Sequence, residues 1–220
     1  MRAPTSTDYE AAERRARIVA ALAENAVAST ATLVAVMSAI YRQSSDALGH
    51  AQRVAAVAVR IGEELRFTQR ELDHLERAAW LHDLGRFVAP DAEPIDPADE
   101  DAFELSTQRW ARQVDLAVEM IETVPVLLPA AALVRASREC LDGSGYPRGL
   151  RGGEIPLGAR VLHVADTFDA LSSVCASLGV GQEAVPAELL RNSGSRFDPA
   201  VVAACLRALD MPQPAAAQGL

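Results

Sequence analysis

Apolar residues recur at helical spacing through most of this chain, and that periodicity restricts the fold to packed helices. The clearest stripe consists of Val54, Val57, Ala58, Ile61 and Leu65. Half of the 220 residues are apolar, but only 5% are aromatic. Such a composition favours helix packing over a β-sandwich. We therefore predict an all-α bundle, in a chain long enough for one well-cored domain plus a helical extension.

The sequence divides into three predicted segments. Residues 1–44 contain two alanine-rich helices, over 9–26 and 29–43, and carry no chemical motif. We expect this N-terminal helical extension to serve packing or homodimer formation. Residues 45–211 form the main domain, and residues 212–220 form a flexible tail.

Capping patterns set the helix boundaries within the main domain. Thr68-Gln69-Arg70-Glu71 is a capping box that begins a helix, and Gly85 is placed to end that helix. Asp198-Pro199 begins the last helix. The remaining predicted elements are loops over 88–101 and 140–157 and helices near Leu116 to Val124, Leu128 to Glu139 and Leu157 to Ser173.

Net charge and cysteine usage limit the classes of partner. The formal charge of −9 argues against a nucleic acid polymer, because no basic stripe neutralises its phosphates. A few arginines would still suffice for a small phosphorylated ligand.

Cys140, Cys175 and Cys205 form no CxxC pair, which is typical of reduced thiols in a cytoplasmic protein. The apolar stretch Ile18 to Ile40 is interrupted by Glu24, so no membrane span is predicted.

Four side chains are suited to a metal ion: His50, His82, Asp83 and Asp166. His50 lies one helical turn after Asp46, and its side chain points along the apolar stripe. His82-Asp83 lies near a helix end, and a mixed imidazole and carboxylate set suits Fe, Mn, Zn or Ni better than Ca. Asp166 lies in an apolar helix, where an acid must be paired or metal-bound. Taken alone, His50 is also consistent with a hydrogen-bonded core histidine, and Asp166 with a structural salt bridge.

The order of these motifs resembles the HD phosphohydrolase superfamily, and one loop resembles its HD-GYP branch. That loop reads Asp142-Gly143-Ser144-Gly145-Tyr146-Pro147, and Arg196-Phe197-Asp198-Pro199 is similar to the family's closing segment. The resemblance covers about residues 45–209. It implies an HD-GYP helical bundle that hydrolyses cyclic di-GMP at a two- or three-metal centre, often of iron or manganese.

The chain departs from the family at the second metal. The family's centre takes five histidines, whereas this chain has four. Gln113 and Ser137-Arg138 stand where the family has histidine ligands. By the resemblance, the ligands of the first metal are all present: His50, His82, Asp83, which bridges to the second metal, and Asp166. We therefore expect about one divalent transition metal per chain, Fe, Mn or similar, or none.

Two arginines are candidates for phosphate binding. Arg86 takes the place of a family lysine and would clamp a phosphate, unless it only complements a helix dipole. Arg138 stands near the lost metal, where its guanidinium would bind Asp83 or a phosphate in bidentate fashion. An equal alternative is that Arg138 faces solvent. Gly145 and Tyr146 belong to a stiff loop, and the resemblance implies that this loop contacts substrate or a partner such as a diguanylate cyclase domain.

Other residues offer weaker alternatives. His163 shares a helix face with Asp166 and is a possible replacement ligand, although a satisfied core histidine is commoner there. Glu119 and Glu139 would be oxygen ligands or, more often, surface acids. Asp46 would merely orient His50. His74 is expected on the polar side of its helix.

Two functions remain open from the sequence. The first is a metal-dependent phosphohydrolase that acts on a cyclic dinucleotide or related phosphoester, with Asp83 and Arg86 as the catalytic candidates. The second is an inactive HD-GYP-like domain that binds a cyclic dinucleotide or a signalling partner without turnover. The lost histidines favour the second for cyclic di-GMP cleavage, whereas the complete first ligand set keeps slow hydrolysis at one metal open.

Overall fold

The chain forms a helical bundle in the computed structural model, which describes residues 6–25, 29–42, 45–89, 101–181 and 183–211. These ranges contain nine α-helices: α1 Ser6–Asn25, α2 Thr30–Tyr41, α3 Ser45–Glu64, α4 Gln69–Leu81, α5 Ala102–Ile121, α6 Leu128–Arg135, α7 Leu157–Leu178, α8 Ala184–Arg191 and α9 Pro199–Ala208. Short 3-10 helices lie at Leu84–Phe87, Pro125–Leu127 and Gly152–Glu154. The predicted all-α fold is confirmed. Most of the loop predicted over 88–101, and the predicted tail over 212–220, lie outside the described residues.

Helix α3 is the centre of the bundle, and it packs against α4, α7 and α9. Its apolar stripe explains this position, because Val54, Ala58 and Ile61 are fully buried. The α4 helix begins at the predicted capping box, in which Thr68 and Glu71 each bond the other's backbone N–H. Because α3, α4 and α7 pack on one another, polar side chains on their facing surfaces are brought to a common point.

Helices α1 and α2 share the core of the bundle. Leu22, Leu33 and Met37 are buried in the same apolar cluster as the α3 stripe. At the end of α2, the Tyr41 hydroxyl donates a 2.9 Å hydrogen bond to the carbonyl oxygen of Trp80 on α4. The division of the chain at residue 45 stays a prediction. None of the helices in the described ranges has the length and apolarity needed to cross a membrane.

The prediction that Gly85 ends its helix is wrong. Helix α4 ends at Leu81, His82 caps it in right-handed conformation, and Gly85 lies inside the following 3-10 helix. The reason for a glycine is close packing, since a Cβ atom at Gly85 would overlap the backbone carbonyl of Gln113 on α5. The turn after α4 therefore lies directly against α5.

Three other boundaries differ from the prediction. Helix α6 stops at Arg135 rather than Glu139, and Ala136 caps it in a non-helical conformation. Helix α7 continues to Leu178 and ends at Gly179, whose φ of 66° is left-handed. The sequence pattern did not predict α8, a helix of eight residues. The early end of α6 matters most, because it places residues 136–139 beside the polar centre.

The close approach at Gly85 predicts a specific instability. We expect Gly85→Ala to lower the free energy of unfolding by at least about 1–3 kcal/mol, because a methyl group there must displace backbone. The matched control is Gly153→Ala, where an added Cβ meets no atom within 4 Å and the change should stay within about 0.5 kcal/mol. Urea unfolding of both variants measures the difference, and equal midpoints would contradict the packing described.

Candidate metal centre

Three helices bring the four predicted ligands together. His50 lies on α3, His82-Asp83 lies just after α4, and Asp166 lies on α7. The Nε2 atoms of His50 and His82 are 3.3 Å apart. Oδ1 of Asp166 lies 3.2 Å from Nε2 of His50 and 3.5 Å from Nε2 of His82.

Asp83 completes the cluster from a second side. Its Oδ2 lies 3.8 Å from Nε2 of His50, and its Oδ1 lies 3.6 Å from Nε2 of His82. One ligand atom from each of His50, His82 and Asp83 lies within 4.8 Å of the other two. The four side chains thus surround a space in which one metal ion would fit.

Each histidine is oriented through its other ring nitrogen. Nδ1 of His82 lies 2.7 Å from the carbonyl oxygen of Ala79, an acceptor, so Nδ1 carries the proton in this contact. Nδ1 of His50 lies 2.7 Å from Oδ2 of Asp169. Both Nε2 atoms therefore face the centre, as they do in metal-ligating histidines held by a carbonyl or a carboxylate. The donor set therefore fits a divalent transition metal.

Asp169 is a site residue that the sequence reasoning missed. Its carboxylate accepts hydrogen bonds from Nε and Nη2 of Arg53, the latter at 3.0 Å, as well as contacting His50. The signal was present, because Asp169 lies three residues after Asp166 in the same apolar helix, and the argument about buried acids applies equally to it. Asp169 takes the orienting role suggested for Asp46, which lies exposed one turn before His50.

The charged and polar neighbours of the cluster keep its carboxylates ionised. Burial alone would raise the pKa of Asp166, but the charge of Arg138 and hydrogen bonds from His50 and His82 hold that pKa well below its usual range. Burial alone would lower the pKa of His50, but hydrogen bonds to Asp166 and Asp169 outweigh it and raise the pKa to about 9. The carboxylates therefore stay ionised and can serve as metal ligands.

Arg138 faces this centre and not the solvent. Its Nη1 donates to Oδ2 of Asp166, its Nη2 lies 3.7 Å from Oδ1 of Asp83, and its side chain is 27% exposed. The two carboxylate oxygens of Asp166 therefore have different partners: Oδ1 faces the two imidazoles, and Oδ2 accepts from the guanidinium. The glycine-rich loop fixes the backbone here, because Tyr146 N–H donates to the Arg138 carbonyl at 3.2 Å and a Cβ at Gly145 would overlap that carbonyl.

Of the remaining predicted site residues, Arg86 and Gln113 line the cleft at the centre, whereas Ser137 does not. Arg86 Nη1 donates to Oδ2 of Asp83 at 2.7 Å, while 60% of its side chain stays exposed. Gln113 lines the cleft above the centre. Ser137 does not point there, because its buried hydroxyl donates to the carbonyl oxygen of Val134 at 2.8 Å.

The weaker alternatives have structural partners. His163 has both nitrogens engaged, with Nδ1 3.0 Å from the Glu139 carbonyl and Nε2 accepting from Arg196 at 3.4 Å. Burial, followed by the charge of Arg196, lowers its pKa to about 3. The buried Glu139 carboxylate accepts the backbone N–H groups of Arg148 and Leu150, so Glu139 anchors the loop and is not a surface acid.

Two further polar residues lie apart from the cluster. Glu119 pairs with Arg15 of α1 at 2.8 Å on the surface. His74 is half-buried on α4 and does not line the cleft. Neither contributes to the centre.

A cleft of about 930 Å³ opens onto the metal-suited cluster. Four arginines line it: Arg86, Arg109, Arg138 and Arg196. Two aromatic residues line it as well, Trp110 and Tyr146. The sequence reasoning missed Arg109, Trp110 and a lining role for Arg196. A volume of this size suits a small molecule, and the arginines suit a phosphorylated one.

The orienting contact at Asp169 predicts the behaviour of a matched pair of variants. We expect Asp169→Asn to weaken binding of Mn²⁺ or Fe²⁺ roughly 10- to 100-fold, because His50 loses the carboxylate that fixes its ring. Asp46→Asn is the control, because Asp46 is an exposed acid on the same helix as His50. This variant should leave the metal affinity unchanged. Metal titration measures the affinity of both variants, and circular dichroism checks that they fold. Weaker metal binding in Asp46→Asn than in Asp169→Asn would assign the orienting role to Asp46 instead.

Comparison with known proteins places this geometry in a family. The profile of the HD domain family matches residues 35–201. The 3'3'-cGAMP-specific phosphodiesterase 2 of Vibrio cholerae is 30% identical over 171 residues, which cover 75% of this chain. A cyclic di-GMP phosphodiesterase response regulator of Xanthomonas campestris is 31% identical over 192 residues, which cover 87% of this chain.

The fold has a solved counterpart in an HDG"Y"P protein from Bdellovibrio bacteriovorus. The TM-score is 0.60 at 14% identity, over 94% of this chain and 73% of that one. The two curated relatives are longer proteins, because the match spans 32% and 51% of their lengths. The comparison with HD-GYP proteins that the motif order suggested is thus confirmed for the fold.

Proposed function

The chain belongs to the HD domain family, and from that premise we propose that it is a metal-dependent phosphodiesterase that acts on a cyclic dinucleotide or related phosphoester. One observation carries the proposal. The Nε2 atoms of two oriented histidines and the oxygens of two carboxylates meet on the floor of an arginine-lined cleft: His50, His82, Asp83 and Asp166.

These four side chains would hold a single Fe, Mn or similar ion. When bound, such an ion supplies a Lewis acid that polarises a phosphoryl oxygen and lowers the pKa of water. The protein's contribution is to keep the ligands in place. Asp169 and the Ala79 carbonyl fix the two imidazole rings, so little ligand movement is required on binding.

Arg138 would supply the positive charge that the family obtains from a second metal. Its guanidinium lies against Asp166 and Asp83 and also lines the cleft, where it would bind a phosphate oxygen. A guanidinium stabilises developing negative charge but does not generate hydroxide. We therefore expect slower cyclic di-GMP hydrolysis than a two-metal centre would support.

Asp83 and Arg86 would act as a second pair at the centre. Arg86 holds Oδ2 of Asp83 and extends its exposed end into the cleft, which suits a clamp on the second phosphate of a dinucleotide. The relatives' names, which specify cyclic di-GMP and cGAMP, support this substrate class. A homodimer and a cyclase partner bound at Gly145-Tyr146 remain predictions.

A second function has one observation in its favour. Arg138 neutralises part of the charge of Asp166, so the cleft would bind an anionic dinucleotide even where turnover is absent. In that case the chain is a binding module of the same family. Metal content and turnover, measured on the same preparation, separate the two functions.

Metal analysis of protein purified without chelator is the first test. We expect about one Fe or Mn ion per chain, and its loss together with hydrolysis of cyclic di-GMP or 3',3'-cGAMP in His82→Ala, since this ligand is buried and oriented. His74→Ala is the control histidine outside the cleft and should retain both. Metal-free wild-type protein that binds cyclic di-GMP without cleaving it would refute the hydrolase and leave the binding module.

Replacement of Arg138 tests the substitute charge. We expect Arg138→Ala to weaken cyclic di-GMP binding roughly 10-fold or more, the usual effect of losing a hydrogen bond to a charged group, with the metal retained. Arg138→Lys should lie between, because it keeps the charge but loses the planar fork. Arg135→Ala, an arginine paired with Glu122 away from the cleft, is the control. Calorimetric titration that finds Arg138→Ala equal to wild type would remove Arg138 from the site.

A further inference from the structure

We propose that the cleft-facing surface of α5, formed by Trp110 and Gln113, binds a nucleobase of the phosphoester. The assignment rests on the proposed function for the phosphate end of the ligand. It adds a second half to the site: the arginines and the metal would hold phosphate, and α5 would hold a base. Neither α5 residue belongs to the cluster of four candidate metal ligands.

The exposure of Trp110 is the first observation. Its side chain is 50% exposed, whereas the chain's other tryptophan, Trp80, is buried at 4%. The exposed ring lines the concave cleft rather than an open face of the bundle. An indole presented to a ligand cavity is a stacking surface, because each nucleobase has a flat aromatic face of its own.

Gln113 supplies the second observation. It lies three residues after Trp110, so the two side chains share one face of α5, and both line the cleft. Within the described ranges, its side-chain amide makes no hydrogen bond to another residue. An amide offers a donor and an acceptor in one plane, which matches the edge of a purine. Stacking together with edge hydrogen bonding is how proteins recognise bases.

The position of α5 relative to the metal centre is the third observation. Gly85, two residues after Asp83, packs against the backbone carbonyl of Gln113 so closely that no side chain fits between them. Arg86, the next residue, lies in the same cleft. The base-binding surface therefore adjoins the phosphate-binding side chains, as the short distance between base and phosphate in a nucleotide requires.

The surroundings favour a small nucleotide over a protein partner. The exposed indole lies in a cavity of about 930 Å³ shared with four arginines, a volume within the range of small-molecule sites. A protein-docking surface would instead present apolar side chains on a broad face. A nucleotide has both a negatively charged phosphate, which would pair with the arginines, and a flat base, which would stack on Trp110.

Substitution at Trp110 tests the assignment. Isothermal titration with cyclic di-GMP and with 3',3'-cGAMP should show roughly 5- to 150-fold weaker binding in Trp110→Ala, the effect of losing one stacked base. Trp110→Phe should retain more affinity than Trp110→Ala, because phenyl keeps a flat ring. Leu105→Ala, an apolar residue on the same helix that is 44% exposed and outside the cleft lining, is the matched control. Binding of inorganic phosphate should not change in any of the three.

A fluorescence measurement gives an independent readout. In Trp80→Phe, Trp110 is the only indole, and titration with cyclic di-GMP should quench its emission, whereas inorganic phosphate should not. Equal cyclic dinucleotide affinity in Trp110→Ala and wild type, emission that ignores the dinucleotide, or no dinucleotide binding by wild type would each overturn the assignment. Metal content and turnover are measured separately. If a metal-free, inactive protein still bound the dinucleotide through Trp110, the proposed hydrolase function would be refuted and the base-binding assignment would stand.

Discussion

The buried carboxylate of Asp166 is the constraint on which the rest of the structure depends. A charge inside an apolar helix bundle is unfavourable by several kcal/mol unless partners replace its lost hydration. Here the partners come from three other parts of the chain: His50 of α3, His82 after α4 and Arg138 after α6. Satisfying one acid therefore fixes how these segments meet, and the point where they meet is the candidate metal centre.

The glycine-rich loop gains a structural explanation from the same constraint. Glu139 is buried and binds the loop's backbone N–H groups, while Tyr146 N–H binds the carbonyl of Arg138. Gly145 allows the two segments to touch. The loop therefore holds Arg138 in position, and this role does not require a second metal ion.

Close packing also joins the centre to α5. The contact of Gly85 with the backbone at Gln113 brings a helix without metal ligands to the edge of the cleft. Gln113 presents its amide to that cleft, beside the exposed indole of Trp110. The proposed base-binding surface of Trp110 and Gln113 thus adjoins the candidate metal centre through this contact.

Sequence alone determined the helical class, the capping box at Thr68, the N-cap at Asp198 and the four ligand candidates, because periodicity, capping and motif order are local properties of a chain. It did not determine that Asp169 rather than Asp46 would orient His50, that Arg138 would turn inward, or that Gly85 marks a contact and not a helix end. Those outcomes depend on which surfaces pack together, because the contacts join residues that are 28 to 119 positions apart in the chain. Only the tertiary structure decides them, since a side chain's hydrogen-bond partner and its exposure are set by neighbours that are distant in sequence.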